Sequence, residues 1–231
     1  MSARNTKIQE ILKWEAESRR VTPKDELERR RLVHHLTSLG DIRTQSNVLS
    51  VGCGTGYYEL ILKQHTEHLY CLDISKEMLL ICKGRNLENL IQASSHYLPF
   101  KSDIFDCTYA LSLSPIGSSE ANTYSRGTAL KEMRRVTKKK GWIMIGHPTT
   151  LWKQIYGLLK HRDPNYDPFS VSPRKVKGSY IQNDIAIRCS MVLPPMPYAI
   201  LRRINYLKFD RILSCLLFGE VGPYLLVSGV K

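Results

Sequence analysis

Short apolar segments alternate with segments of helical spacing over about a hundred residues in the middle of the chain. The apolar segments predict five buried strands, at 47–51, 69–72, 90–93, 105–113 and 142–146. Between them, helices are predicted at 57–64, 76–83 and 129–136, with Ser75 capping the second, and a basic turn at 138–141. Strand alternating with helix is typical of a doubly wound parallel sheet, so the pattern predicts a Rossmann-like α/β domain.

Both flanks of this region carry further predicted elements. Residues 5–39 have two apolar stripes of helical spacing, with a break at Thr22 and with Pro23 as the first residue of the second helix. Residues 148–180 are rich in turn-forming and basic residues, which favours a lid or an insertion. Two more strands are predicted at 184–191 and 224–230. The segment between them, 198–218, predicts a crossover helix on the sheet, with a basic amphipathic helix on an anionic membrane as the alternative.

The first predicted strand runs directly into a turn that contains three glycines. Gly52, Gly54 and Gly56 allow a sharp bend and the close approach of a ligand, and the helix that follows offers unpaired N–H groups. Ligands of doubly wound sheets bind beyond the carboxyl ends of the strands. Asp73 ends the second strand, where its carboxylate can accept hydrogen bonds from both ribose hydroxyls of an adenosine group. The combination predicts an adenosine cofactor; the alternative is a tight loop and a helix cap without a ligand.

The glycine spacing separates two kinds of adenosine cofactor. A nicotinamide dinucleotide site has the pattern G-x-G-x-x-G, in which the third glycine allows close packing of helix and strand. This chain has Tyr57 at that position, and its pattern is G-x-G-x-G. A bulky side chain there disfavours a nicotinamide dinucleotide. The spacing therefore favours an adenosine cofactor that is not a dinucleotide.

Charge and cysteine content limit the setting of the protein. The net charge is +13, and residues 131–231 alone carry +12. Such a region favours nucleic acid, acidic lipid or a phosphorylated substrate, or it is a solvated surface that aids solubility. The six cysteines form no CxxC pair, and neither a signal segment nor a membrane-spanning segment stands out. We therefore expect a cytoplasmic protein without a metal site.

Four segments, in order, resemble class I S-adenosylmethionine-dependent methyltransferases. VLSVGCGTGYYELIL (48–62) is similar to the first motif, CLDISKEML (71–79) to the second, SSHYLPFKSDIFD (94–106) to the third region, and LKEMRRVTKKKGWIMI (130–145) to the block around the fifth strand. Their order and spacing fit the group that includes ubiquinone and menaquinone C-methyltransferases. The resemblance implies a seven-stranded, mostly parallel sheet with one antiparallel edge strand and helices on both faces. It also implies S-adenosylmethionine as the cofactor and S-adenosylhomocysteine as the product.

The resemblance further implies which residues surround the cofactor. The glycine turn would line its methionine part, Asp73 would hold the ribose, and Ile74 and Met78 would flank the adenine or else pack in the core. The family often has Asp where Ser50 and Ser94 stand, which leaves open a non-catalytic protein with the same fold. The residues placed at the cofactor are Gly52, Cys53, Gly54, Gly56, Asp73, Ile74, Met78, Ser94, Ser95 and Ser112.

A general base is needed only if the acceptor loses a proton, because a sulfonium methyl group is already activated. His147 is the preferred candidate, since it follows the fifth strand and imidazole titrates near neutral pH; a structural histidine is the alternative. The other candidates near strand ends are Ser112, Ser114, Tyr57 and Tyr58. The loop after the fourth strand, LSLSPIG, lacks the Asn/Asp-Pro-Pro-Tyr/Phe signature that resembles amino-group methylation.

These expectations divide the chain into four parts. Residues 1–46 form N-terminal helices of a substrate cap, 47–147 the cofactor-binding core, 148–183 a lid or insertion, and 184–231 the strands and crossover helix that complete the same domain. The expected reaction is methyl transfer to a small-molecule or lipid-linked acceptor. An RNA methyltransferase and a non-catalytic binding protein remain as alternatives, and peripheral contact of the basic C-terminal region with an anionic membrane or RNA stays open.

Overall fold

A computed structural model describes residues 23–111, 121–148, 173–193 and 224–231 of the chain. The strands are β1 (Asn47–Val51), β2 (His68–Asp73), β3 (Asn89–Gln92), β4 (Phe105–Leu111), β5 (Thr137–Pro148), β6 (Ala186–Leu193) and β7 (Tyr224–Val230). The helices in these ranges are α1 (Pro23–Leu39), α2 (Tyr57–Leu62), α3 (Lys76–Gly84), α4 (Ala121–Val136) and α5 (Pro173–Gln182).

The strands form one sheet of seven in the order β3-β2-β1-β4-β5-β7-β6. Pairing is parallel from β3 across to β5, whereas β7 runs antiparallel to both β5 and β6. This confirms the predicted doubly wound, mostly parallel sheet, with the antiparallel strand next to the edge. The strand order reverses between β1 and β4, which opens a crevice at the carboxyl ends of these strands.

Alternate residues of the central strands pack into different hydrophobic clusters because successive side chains of a strand point to opposite faces. Val48 and Tyr109 belong to a cluster with residues of α1, α2 and α3. Leu49 and Ile143 belong to a second cluster with residues of α4 and α5. Both faces of the sheet are therefore covered by helices, which explains the continuous apolar runs that predicted the strands.

Two elements start earlier than the sequence predicts: α4 begins at Ala121 instead of residue 129, and β5 begins before residue 142. A basic turn was expected at 138–141, but the strand already begins at Thr137. Its pairing with β4 jumps from Phe105↔Thr137 to Cys107↔Trp142, so the intervening residues form an irregular bulge, and Lys140 has φ 65°. Within this bulge Lys138 Nζ lies 2.7 Å from Asp106 Oδ1. The turn-like sequence is thus accommodated inside a longer strand.

Helix α5 occupies part of the stretch that was expected to form a lid or an insertion. Its Tyr180 is fully buried, and the hydroxyl lies 2.9 Å from Val227 O and 3.1 Å from Ile143 O. This residue therefore anchors α5 on β5 and β7. The rest of that stretch, 149–172, lies outside the described residues, as do the predicted helices at 5–22 and 198–218. None of the helices in the described ranges is long and apolar enough to cross a membrane.

Candidate cofactor site

The three glycines of the turn after β1 all adopt backbone conformations that side chains disfavour. Their φ angles are 75° at Gly52, 55° at Gly54 and 75° at Gly56. The turn is closed by Gly56 N–H, which donates to Cys53 O at 3.0 Å, and is joined to β2 by Gly52 N–H, which donates to Leu72 O at 2.7 Å. The local sequence therefore folds into the sharp turn that was predicted.

Gly54 and Gly56 serve different steric needs. A Cβ atom at Gly56 would lie 2.5 Å from Leu87 Cδ1 and 2.8 Å from Cys82 Sγ, so this glycine permits close packing against α3 and the segment after it. A Cβ atom at Gly54 would meet no atom of the described residues within 4 Å. The turn thus leaves open space at Gly54, where a ligand can approach the backbone.

Asp73, at the end of β2, is held by backbone N–H groups on both sides. Its Oδ2 accepts from Gly54 N at 2.8 Å and its Oδ1 from Ser75 N at 2.9 Å. A carboxylate accepts about four hydrogen bonds in total, so both oxygens keep capacity for further donors. The next residue, Ile74, is 50% exposed and presents apolar surface beside this carboxylate.

Helix α3 begins where the sequence predicted it. Ser75 is its N-cap, and its Oγ accepts from Met78 N at 3.3 Å. The Met78 side chain is half-buried in the first turn of this helix.

The other predicted cofactor residues occupy more varied surroundings. Cys53 is buried with its Sγ 4.0 Å from Cys82 Sγ, and a hydrogen bond with Cys71 together with burial raises the pKa of its thiol, which keeps it neutral. Ser94 Oγ accepts from His96 N at 3.2 Å, and Ser95 is partly exposed beside it. Ser112 lies outside the described ranges.

The backbone of His147 lies near the carboxyl end of β5, paired with Leu225. Since β5 is parallel to β4 and β1, this position is at the same edge of the sheet as the glycine turn. The topology therefore supports the location predicted for this residue; its side chain is outside the described part of the structure.

A buried carboxylate beside the glycine turn escaped the sequence-based prediction. Glu59, in α2, is 2% exposed, and its Oε1 accepts from Ser50 Oγ at 2.6 Å and from Tyr109 OH at 2.7 Å. Burial raises the pKa of this carboxyl group. The only sequence signal was an acid within the apolar segment YYELIL, together with a serine in the apolar strand before it.

The two tyrosines that begin α2 differ as candidate bases. The Tyr57 ring has the guanidinium carbons of Arg29 and Arg85 each 3.8 Å from its centre, which is a favourable cation–π arrangement. Burial raises the pKa of Tyr58, so its hydroxyl stays protonated at neutral pH and the phenolate that could act as a base is not formed.

Several cations of the basic region have structural partners at the opposite end of the sheet. Arg135 binds Glu132 and the carbonyls of Leu98 and Phe100. Lys231 Nζ donates to Asp103 Oδ1 at 2.7 Å, which lowers the pKa of that aspartate. These cations contribute to the fold, far from the glycine turn.

The geometry fits an adenosyl sulfonium cofactor. Open space at Gly54, spare acceptor capacity on Asp73 and the exposed Ile74 supply a close backbone approach, a partner for ribose hydroxyls and an apolar surface. Within the described ranges, no three His, Cys, Asp or Glu side chains are grouped to hold a metal ion.

Comparison with known proteins finds methyltransferases that resemble the central part of this chain. Residues 49–145 match the family described as "Methyltransferase domain". The chain is 33% identical over 144 residues to malonyl-[acyl-carrier protein] O-methyltransferase of Buchnera aphidicola, covering 62% of this chain and 53% of that protein. It is 26% identical over 151 residues to the ubiquinone/menaquinone biosynthesis C-methyltransferase of Nitrosospira multiformis, covering 62% and 57%. The chain thus spans little more than half the length of these curated relatives.

A solved structure shows the same fold over most of the chain. An S-adenosylmethionine-dependent methyltransferase from Archaeoglobus fulgidus superimposes with a TM-score of 0.60 at 17% identity, covering 88% of this chain and 94% of that one. The fold and the glycine turn define a class I methyltransferase architecture. Residues 49–145, the part of the chain that matches the methyltransferase domain family, contain the glycine turn and Asp73.

Proposed function

We propose that the chain is an S-adenosylmethionine-dependent methyltransferase that acts on a small-molecule or lipid-linked acceptor. The observation that carries the proposal is the 2.8 Å hydrogen bond from Gly54 N to Asp73 Oδ2, because it fixes the glycine turn and the acid of β2 as one unit beside open space. The names of both curated relatives describe methyl transfer, to malonyl-[acyl-carrier protein] in one case and in ubiquinone/menaquinone biosynthesis in the other.

Each part of the site has a distinct task in this proposal. When bound, S-adenosylmethionine supplies a methyl group that its sulfonium centre has already activated. Gly52 and Gly54 admit the amino acid part, Asp73 accepts hydrogen bonds from the ribose, and Ile74 covers one face of the adenine. The remaining task of the chain is to hold an acceptor in line and to exclude water.

For acceptors that lose a proton, we propose His147 as the general base. Its place near the carboxyl end of β5 supports this role, because all parallel strands of the sheet end at this edge. The RNA alternative gains no support from Arg135 and Lys231, whose charges are used within the fold at the other end of the strands.

The test is turnover with two acceptor classes. Purified chain is incubated with S-adenosylmethionine and either phenolic quinone precursors or malonyl thioesters, and S-adenosylhomocysteine formation is measured. We expect product with one of the two classes from the wild type and at least a tenfold lower rate from Asp73→Asn. RNA and lipid extracts are then tested as further acceptors. If the chain binds the cofactor but methylates none of these acceptors, the non-catalytic alternative is favoured.

A further inference from the structure

The carboxylate of Glu59 has one oxygen fully engaged and one that is not. Both hydroxyl donors, Ser50 and Tyr109, bind Oε1. Oε2 is buried, and no described residue forms a hydrogen bond with it. A buried carboxylate oxygen without a donor or a cation lowers the stability of the fold, so such groups are normally paired. Oε2 therefore lacks a donor or cation of the kind that Oε1 already has.

The position of this carboxylate relates it to the glycine turn. Ser50 lies in β1 two residues before Gly52, about 7 Å along the strand. Glu59 lies in the first turn of α2, three residues after Gly56. The turn from Gly52 to Gly56 thus connects β1 and α2, and these two elements bring Ser50 and the Glu59 carboxylate together beside it.

We propose that Glu59 binds the α-ammonium group of the amino acid part of the cofactor. This inference rests on the proposed function, since it takes S-adenosylmethionine as the ligand. An ammonium cation supplies the charge and the donors that Oε2 lacks, and the two short hydroxyl bonds to Oε1 hold the carboxylate in one orientation. Ser50 stands where the resembling family often has Asp, and Glu59 places a carboxylate 2.6 Å from that serine. The acid is thus supplied from α2 instead of from β1.

The experiment compares ligands with and without the ammonium group. Titration calorimetry measures the affinity of the wild type and of Glu59→Gln for S-adenosylhomocysteine and for 5′-methylthioadenosine, which lacks the amino acid part. We expect the substitution to weaken S-adenosylhomocysteine at least tenfold and 5′-methylthioadenosine less than twofold. Glu67→Gln, which removes an exposed carboxylate before β2, is the matched control and should change neither affinity.

The outcomes distinguish a failure of the proposed role of Glu59 from a failure of the proposed function. Unchanged affinity for both ligands, or equal weakening of both, would overturn the role of Glu59 while leaving the cofactor site intact. No binding of either ligand by the wild type would overturn the proposed function and the inference with it. If Glu59→Gln does not fold by circular dichroism, the wild type is titrated with S-adenosylhomocysteine that lacks the amino group. At least tenfold weaker binding then supports the ammonium contact, and equal binding refutes it.

Discussion

Asp73 Oδ2 and the backbone nitrogen of Gly54 lie 2.8 Å apart, although 19 residues separate them in the chain. The bond joins the end of β2 to the middle of the glycine turn. It orients the carboxylate, and it also satisfies an N–H group that no strand or helix would pair. One side chain therefore fixes the shape of the turn and, in the proposed function, also accepts hydrogen bonds from the ribose.

Replacing Asp73 by alanine should weaken cofactor binding and loosen the turn together. Loss of the acceptor leaves the N–H groups of Gly54 and Ser75 without their partner and removes the ribose contact, each on the scale of about 1–3 kcal/mol. Calorimetric affinity for S-adenosylhomocysteine and the melting temperature measure the two effects. Glu88→Ala, at an exposed position before β3, is the control; an Asp73→Ala variant with the control's affinity would refute the ribose role.

Alanine at Gly54 should mainly weaken cofactor binding, whereas alanine at Gly56 should mainly lower the stability of the fold. At Gly56, whose backbone is also left-handed, the new Cβ in addition meets Leu87 and Cys82 at less than 3 Å, so we expect its loss of unfolding free energy to exceed that at Gly54 by about 1–3 kcal/mol. At Gly54 the Cβ enters open space and costs about 1–2 kcal/mol for its left-handed backbone alone, but it occupies the space assigned to the cofactor. Chemical denaturation and calorimetry are run on both variants. Weaker cofactor binding by Gly56→Ala than by Gly54→Ala, measured at a temperature at which both variants are folded, would contradict this division.

The stability of the ligand-free chain should depend on pH through Glu59. Burial raises the pKa of this group in the folded state, so between its ordinary pKa and the raised one the folded chain holds a proton that the unfolded chain has released. Unfolding free energy then falls as pH rises through this window, and the full cost of the buried charge applies above it. The Tyr109 hydroxyl, whose pKa burial also raises above its ordinary value, stays protonated here.

Glu59→Gln has no such proton, so its melting temperature relative to the wild type should increase from pH 4 to pH 8. A change of about 2–4 °C corresponds to ~1 kcal/mol in a chain of this size. Differential scanning fluorimetry across this range measures it, with Glu67→Gln as the control. If the difference in melting temperature between Glu59→Gln and the wild type does not change with pH, folding does not shift the pKa of Glu59.

Tyr180→Phe tests the attachment of α5 to the sheet. The hydroxyl contacts the carbonyls of Val227 and Ile143 in a fully buried position, so its removal should cost about 1 kcal/mol of unfolding free energy. Tyr97→Phe, where the side chain is 80% exposed, should leave stability unchanged. Equal denaturation midpoints for the two variants would exclude a structural role for the buried hydroxyl.

Local patterns were sufficient to predict the central elements. The bounds of β1 and β7 match the predicted 47–51 and 224–230, because short apolar runs between turn residues specify buried strands. Ser75 was predicted as the cap of α3, since capping depends on residues within one turn. The glycine turn and Asp73 were likewise visible, because their spacing follows from a strand, a helix and a second strand.

Contacts between distant segments could not be predicted in the same way. The bond from Tyr109 to Glu59 requires the register of β4 beside β1 and the approach of α2, which span 50 residues of sequence. The bulge in β5 depends on Lys138 reaching Asp106 across the strand pair, and no local pattern signals it. The sequence identified a serine in place of an acid at position 50, but only the structure shows the glutamate beside it.

Titration calorimetry of the folded wild-type chain with S-adenosylmethionine and S-adenosylhomocysteine tests the central claim most directly. The binding site proposed at Gly54 and Asp73 predicts saturable one-to-one binding of both compounds. Nicotinamide dinucleotides should show no comparable binding. Absence of binding for both compounds at millimolar concentration, from protein whose folded state is verified by circular dichroism, would contradict the account.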